Sequence, residues 1–180
     1  MGNGKKKERP LASLGQKRLV LETPLGPMEA RAEAGALVYL GFGATEPLGT
    51  EENGEDLGGL EPFKSLKAWL GAYFDGVEPV SKVPISLRGT AFQKTVWGEL
   101  LKVPFGVATT YGDLGRAVFG ALGRKNQSAR AIGQAVGRNP LAIMVPCHRV
   151  LAASGQLGGY SAGLENKKAL LEIEGLGYRP

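Results

Sequence analysis

Cysteine and histidine are almost absent from this chain of 180 residues, which carries one of each. A single cysteine closes no intramolecular disulfide, and that excludes the disulfide framework of a small secreted protein. No stretch reaches the roughly 18 consecutive apolar residues of a membrane span. The opening "MGNGKKKERP" leads into no apolar run of the kind that a signal peptide needs. A soluble, cytoplasmic protein is therefore expected. Asparagine, glutamine and methionine are also sparse, which is the compositional direction of heat tolerance. The rest is ordinary for a globular fold: 43% hydrophobic residues, over a length that suits one large domain or two small ones.

Acidic residues are scarce in one half only. Residues 1–88 carry 11 Lys and Arg against 12 Asp and Glu, whereas residues 89–180 carry 11 against 5. Between Ala91 and Leu164 the only acids are Glu99 and Asp113. A field of that sign attracts polyanions, nucleic acid above all. A solvated basic face kept for solubility is the alternative.

The first half reads as a small α+β unit. Short β-type runs, Arg18 to Glu22, Met28 to Glu33 and Leu37 to Phe42, are broken by Pro24, Gly26 and Gly35 at hairpin spacing. An acidic, glycine-rich loop, "ATEPLGTEENGEDLGGLEP", follows. Phe63, Leu66, Leu70 and Phe74 then recur at helical spacing, so an amphipathic helix is expected to pack on the hairpins. No metal-ligand spacing and no phosphate loop occur here. The segment "EPVSKVPISLRG" reads as a linker.

The second half is helical. Thr90 can cap a helix whose buried stripe is Phe92, Val96, Leu100 and Val103, ended by Pro104. Thr110 and Asp113 form a capping-box-like start to a helix burying Leu114, Ala117 and Val118. After the polar turn "GRKNQ", Ser128 can cap a helix with Ala129, Ile132 and Val136 buried. Two short helices in a basic region fit a helix-turn-helix. On the second, Arg130, Gly133, Gln134 and Gly137 share the exposed face. Two helical glycines cost about 1 kcal/mol each relative to alanine. They serve close approach either by a nucleic acid or by a neighbouring helix.

The lone cysteine and lone histidine are adjacent, in "PCHRV", after the turn Asn139-Pro140 and an apolar run, Leu141 to Val145, read as a buried strand. Pro146 suits the first position of a helix, so Cys147 is expected in a first helical turn, where free N–H groups and the helix dipole favour a thiolate. A small buried hydrophobe is the alternative for such a cysteine. Leu164, Leu171 and Glu174 share a face of a final helix. A carboxylate there, at a helix C-terminus on the apolar side, needs a partner. His148 is one, giving a Cys147–His148–Glu174 relay in which the imidazole takes the thiol proton directly or through one water. An exposed Glu174 paired with Lys167, Lys168 or Arg179 is the other reading.

These residues resemble the O6-alkylguanine-DNA alkyltransferases, also called methylated-DNA–protein-cysteine methyltransferases. The likeness covers most of the chain and is carried by "RGTAFQKTVW", "PFGVATTYGDL", "SARAIGQAVGRNP", "PCHRV" and "GGYSAGLENKKALLEIEG". It implies an α+β fold: a small N-terminal domain of hairpin sheet plus helix, residues 1–88, then a mostly helical, winged-helix-like alkyl-acceptor domain with a helix-turn-helix, residues 89–180. It also implies that Cys147 accepts the alkyl group from O6 of a damaged guanine once, irreversibly. His148 and Glu174 match the relay, Asn139 braces the turn, and Tyr111 protonates N3 of the leaving base. Val150, Tyr160 and Ser161 line the base pocket. The DNA-binding set is Arg130, which fills the gap left by a flipped nucleotide, with Ala129, Gly133, Gln134 and Thr110. The implied partner is duplex DNA entered through the minor groove by a monomer, with cooperativity along DNA left open, and no cofactor is implied.

Some members of that family hold a structural zinc with cysteine and histidine ligands, which this chain cannot spare, so no metal is expected. Between Tyr111 and Arg130 the stretch "VFGALGRKNQ" is longer than in some members. A non-catalytic lesion binder or helix-turn-helix regulator is the competing function, and a cysteine hydrolase a third.

Overall fold

The computed structural model describes residues 16–44, 51–52, 55–124 and 128–179. The basic tail, residues 45–50 and 53–54 of the acidic loop and residues 125–127 of the turn "GRKNQ" lie outside the described residues. Strands β1 (Lys17–Leu21), β2 (Met28–Glu33) and β3 (Ala36–Phe42) form an antiparallel sheet in that order. The β2–β3 hairpin turns through Ala34 and Gly35, at φ 49 and 77, the left-handed pair that matches strand twist. A register shift between Arg31 and Ala32 then resets the alternation, so that Leu37 and Leu40 both face inward although they lie three positions apart. Two-residue strands β4 (Glu51–Glu52) and β5 (Glu55–Asp56) lead to helix α1 (Phe63–Phe74). It buries Phe63, Leu66, Leu70 and Tyr73.

The segment read as a linker is docked. Leu37 N donates to Pro84 O at 2.9 Å and Ser86 N to Leu37 O at 2.7 Å, so residues 84–86 extend the sheet edge, with Val83, Ile85 and Leu87 half-buried. Beyond it stand α2 (Ala91–Leu100), β6 (Thr109–Thr110), α3 (Tyr111–Ala121), α4 (Ala129–Gly137), β7 (Val150–Leu151) and α5 (Leu164–Ile173). Thr90 and Gln93 close a full capping box on α2, and Ser128 Oγ accepts from Ala131 N at the start of α4. β6 and β7 pair in parallel. Helices α2, α3 and α4 pack together, and Trp97 Nε1 donates to Ala135 O at 2.9 Å. One cluster of buried side chains runs through both halves, from Leu19 to Leu170.

The helical stripes are rotated slightly from expectation. Ala117 and Ala129 are exposed, and Phe119 and Ala135 take the buried positions. Leu164 is 46% exposed, so the buried face of α5 is Lys167, Leu170 and Leu171, continued by Glu174. Ala117 and Ala129 lie on the solvent side of their helices, because burial follows the contact surface between helices rather than the first apolar residue.

Candidate active site

The site is built around Asn139. Strand β3 fixes the entry to its turn: Leu40 N donates to Pro140 O at 2.9 Å, and Ala142 N donates to Leu40 O at 2.8 Å. Asn139 Oδ1 accepts from Leu141 N at 3.0 Å, and Nδ2 donates to Val145 O at 2.7 Å and to Cys147 Sγ at 3.1 Å. These bonds fold 141–145 into turns rather than the expected strand, although Leu141, Ile143 and Val145 are buried as expected. Ile143 is held at φ 67, a left-handed conformation that a β-branched residue adopts only under constraint.

Cys147 opens a three-residue 3-10 turn, Cys147–Arg149, not an α-helix. So short a turn carries little dipole, and the thiol is 4% exposed. Burial pushes its pKa up, and the Asn139 hydrogen bond and the charge of Lys167 pull back only part of the way. The helix terminus expected to favour a thiolate is thus absent, and the buried thiol depends on the base of the expected relay.

His148, fully buried, directs Nε2 to Glu174 Oε1 at 2.7 Å. That carboxylate is not exposed and does not pair with Lys167, Lys168 or Arg179. Its Oε1 also accepts from Tyr73 Oη at 2.8 Å and Arg149 Nη2 at 2.9 Å. Oε2 accepts from Arg149 Nε at 2.7 Å and Gly106 N at 3.1 Å. Burial alone would raise the Glu174 pKa, but the hydrogen bonds from His148 and Arg149 and the charge of Arg149 outweigh it and hold it at about 2. Burial lowers the His148 pKa against the opposing pull of Glu174, which keeps the ring neutral. With Nε2–H donated to the carboxylate, the lone pair lies on Nδ1, which has no hydrogen-bond partner among the described residues.

Three residues of this arrangement had no part in the relay as the sequence reading gave it. Arg149 forks onto Glu174 and donates Nη1 to Val103 O at 2.7 Å. Tyr73 comes from α1, where a hydroxyl on an apolar face was the available signal. Lys167, fully buried, donates to Val150 O at 2.7 Å and to Leu157 O, and so ties the strand after the cysteine to the loop before Tyr160. Burial lowers its pKa to about 8.

A cavity of about 280 Å³ opens beside Cys147, lined also by Tyr111, Val136, Tyr160, Ser161 and glycines 133, 137 and 159. Burial and the neighbouring Cys147 raise the pKa of both tyrosines, which keeps them protonated. Val150 does not line this cavity; it is fully buried in the core. Arg130, Gln134 and Ala129 are exposed on α4. Among the described residues a Cβ built on Gly133 or Gly137 would meet nothing within 4 Å, so no neighbouring helix among them explains the glycines. The Thr110 hydroxyl is engaged with Asp113, accepting from its N–H and donating to its carboxylate at 2.6 Å. Among the described residues no cluster of three metal-ligating side chains occurs, and no helix is long and apolar enough to cross a membrane.

The family model described as 6-O-methylguanine DNA methyltransferase, DNA binding domain, matches residues 91–176. A Methanosarcina acetivorans protein named methylated-DNA–protein-cysteine methyltransferase is 36% identical over 161 residues, covering 87% of this chain and 96% of its own. A Mycobacterium tuberculosis protein of the same name is 40% identical over 156 residues, 86% of this chain and 89% of its own. The crystal structure of M. tuberculosis OGT in complex with DNA superposes with a TM-score of 0.70 at 36% identity, covering 87% of this chain and 91% of that one. Similarity on this scale, across both halves and through "PCHRV", means that the chain belongs to the methylated-DNA–protein-cysteine methyltransferase family.

Proposed function

We propose that the protein repairs O6-alkylguanine in duplex DNA by moving the alkyl group to Cys147 Sγ, one molecule per lesion. The observation that carries this reading is the chain's only thiol in the wall of a nucleobase-sized cavity, beside a buried neutral imidazole with its Nδ1 lone pair unused. The thiol proton passes to His148 Nδ1 through one water. Sγ then attacks the alkyl carbon in line, the S–C bond forms and the C–O6 bond breaks. Tyr111 gives its proton to guanine N3, so a neutral base departs, and the imidazolium and phenolate recover by proton exchange with solvent. Glu174 orients His148 and stabilises its charged form without taking the proton, as its low pKa requires. Asn139 holds Sγ in place, while Tyr160 and Ser161 form the facing wall. Val150 acts from behind the pocket, through the carbonyl that Lys167 grips.

The target atom lies inside the base stack, so the nucleotide leaves the helix at a cost of a few kcal/mol. Helix α4 enters the minor groove. Arg130 fills the gap, Ala129, Gly133 and Gln134 admit the sugar-phosphate walls, and Thr110 abuts the backbone from the start of α3. Residues 89–180 supply acceptor and DNA surface, and residues 1–88 brace them. The product thioether resists thiol exchange, so the protein is spent after one turnover. Incubation with a duplex containing O6-methylguanine should add one methyl mass to the Cys147 peptide. An unmodified peptide under conditions of full DNA binding would favour the lesion-sensor reading.

A further inference from the structure

Tyr73 belongs to the first half of the chain, yet its hydroxyl lies inside the relay of the second. It donates to Glu174 Oε1 at 2.8 Å and stands 3.2 Å from His148 Nε2, with no exposed surface. The ring is fixed independently of that bond. It stacks on Trp69 at 5.5 Å, with 6° between the planes, and meets Phe105 and His148 edge-on at 5.9 and 6.3 Å. Phenylalanine would serve that packing equally well. The hydroxyl is additional, and it falls on the same carboxylate oxygen that His148 uses.

We infer that Tyr73 is a positioning residue for alkyl transfer, through which the first half of the chain sets the basicity of His148; this rests on the relay reading above. Glu174 Oε1 takes donors from Tyr73, His148 and Arg149, and Oε2 takes donors from Arg149 and Gly106. A carboxylate supplied with this many donors pulls less strongly on any one of them, so it stabilises the imidazolium less than a freer carboxylate would. The groups facing His148 are Tyr73 from α1, Glu174 at the end of α5, Lys167 within α5, and Cys147 and Arg149 of its own turn. Tyr73 and Glu174 make the hydrogen bonds to the ring, and of these Tyr73 alone comes from the first half. The hydroxyl therefore tempers the base, so that His148 gives up the proton once the alkyl group has moved.

His148 is the chain's only histidine, so nitrogen-15 labelling of imidazole in the full chain reports on it without ambiguity. Tyr73→Phe is expected to raise the His148 titration midpoint by about half a pH unit or more, the scale of one hydrogen bond lost from its charged partner. The acid limb of single-turnover methyl transfer should rise with it, while affinity for duplex DNA stays unchanged. A role in packing alone would lower stability and leave the midpoint in place. That result, or a midpoint that falls, overturns the inference. Should Tyr73→Phe not fold, 3,5-difluorotyrosine at position 73, a stronger donor of similar shape, is expected to lower the midpoint; an unchanged or raised value overturns it equally. Failure of the alkyl-transfer reading would show instead as wild-type protein that leaves the methylated duplex untouched, a result independent of the nitrogen-15 midpoint.

Discussion

Replacing Glu174 by glutamine should remove much of the protein's sensitivity to acid while lowering its stability near neutrality. The carboxyl titrates at about 2 in the fold against 4.5 ordinarily. At about 1.4 kcal/mol per pH unit, that difference amounts to about 3 kcal/mol. Because the folded pKa is depressed, this stability is fully present above 4.5 and is lost as pH falls towards 2. His148 acts with the same sign at higher pH: below its ordinary 6.5 the unfolded chain takes up a proton that the buried ring resists. Glutamine keeps the side-chain shape but leaves the Arg149 charge buried without its counter-ion, at a cost of about 3 to 5 kcal/mol at neutral pH. Urea unfolding of both proteins near pH 6 and again near pH 3 tests this. By about pH 3 the wild-type carboxylate has given up about 2 kcal/mol of its contribution, so the gap between the two proteins should narrow by that amount. An equal gap at both pH values would refute the assignment of the acid limb to Glu174.

Other substitutions separate surface from core. Arg130→Ala, on the exposed face of α4, should leave thermal unfolding within about 0.5 kcal/mol of wild type while slowing methyl transfer from a duplex more than from the free modified base. Lys167→Met should cost about 2 to 4 kcal/mol in urea unfolding, because the Val150 and Leu157 carbonyls lose a shared donor. It should also slow transfer by loosening the loop that carries Tyr160 and Ser161.

Much of the fold was legible in local patterns. The three strands begin and end within a residue of the β-type runs expected for them, and the capping residues Thr90, Thr110 and Ser128 start the helices they were expected to start. The pairing of His148 with Glu174 followed from one physical demand, that a carboxylate on a buried face finds a partner. What local pattern could not supply was the donor set completed from afar. Tyr73 lay beside the stripe that the spacing picked out, which ended on Phe74, and Arg149 had no visible reason to be inward until its fork met a residue 25 positions away. The run 141–145 misled because hydrophobicity reports burial, not extension; Asn139, through its own hydrogen bonds, chose the turn. Glycines 133 and 137 stayed ambiguous for a related reason, since sequence alone does not tell which neighbour is missing.

The order in which the ribosome delivers the partners of Glu174 gives that carboxylate a place in time as well as in space. Tyr73 precedes it by 101 positions, Gly106 by 68 and His148 by 26, so every donor has been synthesised before the acceptor emerges. Until then the nascent chain holds an arginine without its counter-charge and a neutral histidine without the acceptor for its Nε2–H, and the contacts that close the relay span large sequence separations. The nucleophile's base thus becomes oriented only when the final helical turn is made, and a chain arrested before that turn carries its cysteine without the machinery to use it.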